Sequence, residues 1–477
     1  MKAYSVRLAG INIKNFKNVV EGYLSFDNPR KNYKASILGL YGQNGSGKTA
    51  LIDALELLKN VLCGRQVPDK FADYINLDSE QAELQFEFLM EDKDESQTVF
   101  YSFVMKRETE NTTQNIEVAR AKEPGKKVRI FDEVIKCSII SNDVQTKMGR
   151  LLDSSGPETL TPKAKRLLMV GKRMDTDLVV CKKLAYAQGR SFLFSPELFN
   201  ILQSRAESNE LSASETAEFD FYWSLIYSLV FFGNCCLFVV NTSTSGMISL
   251  NAQPLMFRYK EENTRSLGTI MLPLDEPVLI PEHEKQMAEK VIRNMNTVLT
   301  AIVPGLTVTI RDLGSQVLDN GDTGIRIQMM SSRNGREIPL KYESEGIKKI
   351  VSILQLLIVV YNQSSITVAI DELDSGVFEY LLGELVRIIS EKGKGQLIFT
   401  SHNLRPLETL DRGFVAFTTT NPQKRYVRMT NVKDSNNLRD YYYRDIMLSE
   451  NHDNLYEQTK NSEIAFAFRE AGGYSGS

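Results

Sequence analysis

The eight residues Gly42-Gln43-Asn44-Gly45-Ser46-Gly47-Lys48-Thr49 constrain this chain more than any other stretch, because they complete the pattern G-x-x-x-x-G-K-T. Ahead of them runs the β-forming segment Ala35-Ser36-Ile37-Leu38-Gly39-Leu40-Tyr41, and behind them apolar residues recur at helical spacing as far as Cys63. Strand, glycine loop and helix in that order make a loop whose backbone N–H groups curl around phosphate at the positive end of a helix. Gly42, Gln43, Asn44, Gly45, Ser46, Gly47 and Ala50 are expected to line that cradle, with Lys48 reaching β/γ-phosphate oxygens and the Thr49 hydroxyl ligating Mg²⁺. The bland alternative is a ligand-free glycine turn. Correct spacing, the Lys-Thr pair and both flanking elements weigh against it.

A P-loop needs partner strands, and residues 339 onward supply the pattern for them. A helix is expected over 346–361, a strand over 366–370, a helix over 376–391 and a strand over 396–400, an alternation that implies a parallel sheet. The first of these strands, Ile366-Thr367-Val368-Ala369-Ile370, ends in Asp371-Glu372. Carboxylates at the C-terminal edge of a buried strand suit a Mg²⁺ shell (Asp371) and a group that orients or deprotonates water (Glu372). Alone, two acids after a strand equally fit a solvated loop; the P-loop tips the balance. The second strand, Leu397-Ile398-Phe399-Thr400, runs into Ser401-His402-Asn403, and His402 there can donate to a γ-phosphate. His283 and His452 sit in polar surroundings and read as ordinary surface histidines. Ser344, in Glu343-Ser344-Glu345-Gly346, is a plausible helix N-cap; one helix before the acidic strand, it also suits a phosphate clamp.

At 477 residues the chain exceeds what one core usually supports, so several units are expected: 1–138 and 304–430 as two parts of one nucleotide-binding domain, 139–303 as a mostly helical insertion, and 431–477 as an extension. β-like runs at 82–90, 99–106 and 115–121 suggest an antiparallel meander, and a periodic helix is expected over 282–303. Residues 472–477 read as disordered. A composition of 42% hydrophobic and 25% charged residues, with net charge -3, fits an ordinary globular protein and excludes bulk-charge coating of nucleic acid. Five cysteines without C-x-x-C spacing suggest neither zinc nor disulfides, and residues 1–7 read as a strand rather than a signal core, so a cytoplasmic setting is expected.

The apolar run 221–240 is long enough to span a bilayer. Gly233-Asn234 interrupts it, acids precede it, and no basic residue flanks it closely, so a buried helix followed by the strand 235–240 is the expectation, with no membrane. Between 163 and 190, eight basic residues (Lys163, Lys165, Arg166, Lys172, Arg173, Lys182, Lys183, Arg190) face two acids, Asp175 and Asp177. Such an arm suits nucleic acid or an acidic partner, and suits a solvated helical surface at least as well.

Asn15-Phe16-Lys17, the P-loop, Glu343-Ser344-Glu345-Gly346, Asp371-Glu372-Leu373-Asp374-Ser375 and Thr400-Ser401-His402-Asn403 stand in the order found in ABC-type ATPases. The chain resembles the SMC/RecF/OLD-like group and its bacterial anti-phage relatives of the AbiL, AriA and Septu type, over about residues 1–130 and 300–420. The resemblance implies an α/β fold: an ABC-type P-loop ATPase head with an antiparallel β lobe and an inserted helical subdomain. It also implies ATP and Mg²⁺ as cofactors, Lys17 on phosphate, Ser344 and Gly346 as a signature motif acting in trans, Asp374 as D-loop and His402 as switch histidine. Two sites would then form only in a head-to-tail homodimer or higher homo-oligomer. The signature departs from the transporter type, Phe378 stands where many OLD-like proteins carry a histidine, and Asn76, Asp78, Glu80 and Gln81 all remain candidates for the Q-loop.

No long heptads mark an SMC arm, the stretch after His402 is too short for a TOPRIM domain, and three scattered histidines make no HNH nuclease. The expected function is therefore a sensor or regulatory ATPase of an abortive-infection system, gating a nuclease or toxin on another chain. A RecF-like DNA repair ATPase and an ATP-locked scaffold are the alternatives.

Overall fold

The computed structural model describes residues 4–30, 36–92, 95–109, 126–141, 144–145, 147–156, 159–171, 175–208, 210–241, 247–251, 269–317, 321, 323–429, 437–448, 455–456 and 460–473. At its centre is a six-stranded sheet in the order Tyr426–Val427, Val415–Thr418, Ser36–Tyr41, Gln396–Thr400, Thr367–Ile370, Leu237–Val240, parallel except at the Tyr426–Val427 edge. Its inner strands are buried along nearly their whole length, which is why they read as continuous apolar runs rather than alternations. The helices Lys48–Leu62 and Glu345–Asn362 pack against it. Gly39 is required at the centre: a Cβ there would lie 2.8 Å from the Phe399 ring of the neighbouring strand.

A second, antiparallel sheet runs Val19–Ser25, Ser5–Phe16, Gln81–Glu91, Ser96–Thr109, Lys126–Ser141, with short strands Val144–Gln145 and Gly149–Asp153 on Lys126–Ser141. In Gln81–Glu91 the even residues Ala82, Leu84, Phe86, Phe88 and Met90 are buried while their neighbours face outward, the period of a half-covered strand. The strand expected over 115–121 lies outside the described residues; Lys126–Ser141 is the one that pairs with Ser96–Thr109. Gln396, 1% exposed, joins the two sheets: its amide donates to the Leu8 carbonyl (2.7 Å) and accepts from the Leu8 N–H (3.1 Å) and the Thr367 hydroxyl (3.1 Å). A buried amide satisfied on both sides fixes their relative register.

Helices Lys163–Val170, Asp175–Ala187, Pro196–Ala206 and Ala213–Phe231 follow. The last opens with a capping box, Ser212 with Glu215; its first two turns are mostly exposed, and its apolar second half, from Phe221, is buried or half-buried. It passes through a π turn, Phe232–Cys236, into Leu237–Val240, which is the far edge strand of the central sheet. The run 221–240 is thus a buried helix and strand, and among the described residues no helix is long and apolar enough to cross a membrane. A four-stranded antiparallel sheet (Val278–Pro281, Leu306–Val317, Thr323–Arg333, Arg336–Pro339) carries the helix Glu282–Ile302, whose Asn296 amide exchanges two 2.8 Å bonds with the Val308 backbone. That sheet delivers the chain to the start of Glu345–Asn362. Helix Asn461–Gly473 takes in 472 and 473; residues 474–477 lie outside the described residues.

Candidate nucleotide site

Between Tyr41 and Lys48 the backbone turns through positive φ at Gly42 (154°), Gly45 (78°) and Gly47 (96°), conformations open to glycine and poor for other residues. A Cβ on Gly42 would meet the Thr418 hydroxyl at 1.8 Å. Lys48 opens the helix and is buried, its ammonium donating to its own loop carbonyls, Gly42 (2.7 Å) and Gln43 (3.0 Å). Burial lowers its pKa, an effect opposed by Asp371, then Glu372 and Asp374. Asn44, Gly45 and Thr49 are exposed, Gln43 is half-buried, and Ser46, Gly47 and Ala50 are buried.

The loop is braced by residues the motif does not include. Arg425 donates to the Thr419 carbonyl (2.6 Å) and to that of Asn18, and its stem lies where a Gly47 Cβ would come within 3.2 Å. The Tyr426 hydroxyl donates to the Gly47 carbonyl (3.1 Å), the Asn18 amide to that of Gly45, and Thr418 shares a hydroxyl contact with Ser46. All these partners except Asn18 come from the far C-terminal edge of the sheet, so no local pattern reveals them. Only the tail's return as a paired edge strand could have been a signal, and Tyr426–Val427 is two residues long.

Asp371 and Glu372 follow Thr367–Ile370, and His402 follows Gln396–Thr400; Gln396–Thr400 lies between the P-loop strand and Thr367–Ile370 in one parallel run. Thr400 ties the two loops together: its hydroxyl donates to Asp371 Oδ1 (2.6 Å) and accepts from the Glu372 N–H (2.8 Å), and its carbonyl accepts from the Leu373 N–H (3.0 Å). Asp374 Oδ2 accepts from the N–H groups of His402 (3.1 Å) and Asn403 (3.0 Å), leaving buried Oδ1 without a hydrogen bond among the described residues. Glu372 itself sits at φ 48°, a left-handed conformation uncommon for a non-glycine residue and typical of places where the surroundings over-determine the backbone.

Lys17, also at positive φ (53°), pairs with Asp53 of the P-loop helix and lies 4.3 Å over the Tyr74 ring. Burial raises the Asp53 pKa, opposed by Lys17. Ser344 is exposed and caps Glu345–Asn362, accepting from the Ile347 N–H at 3.4 Å. Gly346 lies against the loop that follows Asp371-Glu372 in its own chain: a Cβ there would be 2.3 Å from the Gly376 carbonyl. Of the Q-loop candidates, Asn76 bonds the Lys17 carbonyl (2.9 Å).

These groups fit a Mg-nucleotide. The loop offers a run of backbone donors with no side chain to block it, and Thr400 leaves Asp371 Oδ2 free of hydrogen bonds among the described residues. Oxygen ligands from Thr49 and Asp371 suit a hard cation that keeps water and phosphate in its shell. No cluster of three or more acidic, histidine or cysteine side chains that could hold a metal unaided occurs among the described residues. The basic segment is partly committed internally: Lys165 donates to the Arg150 carbonyl (2.7 Å), Lys182 to that of Ser154 (2.8 Å), and Arg166 is buried. Lys172 and Arg173 lie outside the described residues.

A family model described as "AAA domain, putative AbiEii toxin, Type IV TA system" matches residues 37–145. No curated protein matches the chain. Solved structures to which it is similar include the Smc head bound to the C-winged helix domain of ScpA (12% identity, covering 89% of this chain and 98% of that one, TM-score 0.37). Others are the SMC head domain from Thermotoga maritima (13%, 89% and 99%, 0.35) and the recombination mediator RecF with ATP (14%, 89% and 100%, 0.36).

Proposed function

We propose that this chain binds and hydrolyses Mg-ATP as an ABC-type ATPase of the SMC/RecF-like kind, with each site completed by a second copy meeting it head to tail. One observation carries the reading: the P-loop, Asp371-Glu372 and His402 leave the C-terminal ends of three adjacent parallel strands, the edge at which open α/β sheets bind ligands. Thr49 and Asp371 would hold Mg²⁺, which when bound neutralises charge on the phosphate oxygens. Lys48 exchanges its two loop carbonyls for phosphate oxygens. Glu372 orients water and accepts its proton, and His402 donates a hydrogen bond toward the transferred phosphate. Lys17 adds a cation beside the P-loop helix, held there by Asp53.

Ser344 and Gly346 would serve the nucleotide of the other copy, with Asp374 linking that face to the switch loop. In support, Ser344 is exposed, as are its neighbours Tyr342 (69%) and Phe378 (73%), large apolar groups on the surface beside the D-loop. We read the chain as a cytoplasmic sensor ATPase of a bacterial anti-phage system that gates a separate nuclease or toxin; the toxin and toxin–antitoxin wording of the matched family description supports the link to such systems.

Purified protein tests the chemistry. Lys48→Ala should lose ATP binding, whereas Glu372→Gln should keep ATP and lose hydrolysis, accumulating a long-lived assembly. Wild-type affinity in the first variant or undiminished turnover in the second would overturn the site. A nuclease or toxin co-eluting with the protein when its genomic neighbours are co-expressed supports the defence role. Stimulation by gapped DNA with no such partner would favour RecF-like repair instead.

A further inference from the structure

Arg425 is 5% exposed, and its guanidinium bonds backbone carbonyls from two segments far apart in sequence. One arm donates to the Thr419 carbonyl (2.6 Å) and the other to the Asn18 carbonyl. Among the described residues it pairs with no carboxylate, and its buried Nε forms no hydrogen bond. Keeping a guanidinium out of water without an acid partner is costly, so a neutral residue would serve better if packing were its only task.

Its surroundings supply another. The segment 419–425 is stitched to the strand Val19–Ser25: the Pro422 carbonyl accepts from the Val20 and Glu21 N–H groups (3.0 Å each), and the Arg425 N–H donates to the Glu21 carbonyl (3.1 Å). Asn18, whose carbonyl the guanidinium holds, places its own side-chain amide on the Gly45 carbonyl. The Arg425 stem passes within 3.2 Å of where a Gly47 Cβ would stand, and the next residue, Tyr426, donates to the Gly47 carbonyl (3.1 Å). Gly45 and Gly47 carry no side chain to hold their own turns, so these outside partners set the two peptides. The C=O and the following N–H of a trans peptide point opposite ways, so bonding both carbonyls to the brace turns the Ser46 and Lys48 N–H groups away from it.

Resting on the Mg-ATP reading above, we infer that Arg425 is a positioning residue for the phosphate loop. Its fork fixes Asn18, and through Asn18 the Gly45 peptide, so the loop is shaped for phosphate before nucleotide arrives. A carboxylate partner would steady the guanidinium better and would also repel phosphate; two carbonyls carry no such charge.

Titration of a fluorescent ATP analogue with Mg²⁺ into the purified full chain tests this. Arg425→Met keeps the stem beside Gly47 and removes both donors, whereas Arg425→Lys keeps the charge but cannot fork between two carbonyls. Both should bind the analogue about tenfold more weakly than wild type. Asn18→Ala should show a similar loss, and adding it to Arg425→Met should cost no more than the larger single loss, because both act through one contact. A packing role alone would lower the melting temperature and leave the losses in affinity additive. If Arg425→Met folds poorly, Arg425→Lys with Asn18→Ala completes the same cycle. Wild-type affinity in the folded variants, full recovery in Arg425→Lys, or additive losses in the double variant would overturn the role. No binding of the analogue by wild type would remove the Mg-ATP reading itself, while binding by wild type with unchanged affinity in the variants would remove only the role of Arg425.

Discussion

Thr400 shows how one hydroxyl can hold two functional loops. It is 1% exposed and simultaneously donates to Asp371 and accepts from the Glu372 N–H, so its loss leaves a buried carboxylate oxygen and a backbone donor without their partner. Thr400→Val, nearly the same shape, should destabilise the fold by about 1–3 kcal/mol in denaturant melts. It should also lower kcat with little change in ATP affinity, because the P-loop does not depend on it; Thr400→Ser should restore both. A Thr400→Val enzyme with wild-type kcat would dissociate the hydroxyl from the chemistry. Glu372 offers the converse case. Its φ of 48° suits glycine, so Glu372→Gly should abolish hydrolysis while leaving thermal stability equal or higher, a separation readable by calorimetry beside an ATPase assay. The motifs marked Lys48, Asp371 and Glu372 in the sequence because their chemistry requires those residue types at that spacing. Thr400 stood at the head of a motif read for its histidine and was given no role, since its importance comes from a partner 29 residues away that the fold brings beside it.

The helix Glu345–Asn362 begins with its backbone pressed against another loop, and that contact makes Gly346 sensitive for steric rather than conformational reasons. An added Cβ would stand 2.3 Å from the Gly376 carbonyl, a backbone atom with nowhere to retreat. Gly346→Ala should therefore shift the helix start or the loop around Gly376, lowering the melting temperature and hydrolysis while the P-loop still binds ATP. Normal turnover in this variant would show that the two backbones can part without consequence. Elements like this helix were legible from apolar spacing, as were the strands Gln396–Thr400 and Thr367–Ile370, because burial on both faces writes itself as an unbroken apolar run. Less legible were elements whose meaning lies in a distant partner. Leu237–Val240 was expected as a strand, but nothing local shows that it extends the sheet beside Thr367–Ile370, and Tyr426–Val427 is too short to announce the brace it gives the P-loop.

Across the whole molecule, the Gln396 amide ties the two large sheets together, and the P-loop, the Asp371-Glu372 loop and the loop at His402 all leave one of them, the central sheet. Ser344, exposed at the start of the helix Glu345–Asn362, would on the head-to-tail reading act only on a second copy. Ser344→Arg should leave weak ATP binding to the single chain intact, because the P-loop is untouched, yet block assembly and hydrolysis by placing a bulky cation where the phosphate clamp should close. Mixing distinguishes this from simple damage. In a two-site dimer, one Ser344→Arg copy and one Lys48→Ala copy place both lesions in a single composite site and leave the other wild type. Hydrolysis should then exceed that of either variant alone, measured at equal total protein, if one intact site can turn over. Full activity in Ser344→Arg by itself would dismiss Ser344 as a trans-acting residue, and the requirement for a head-to-tail pair would lose its support.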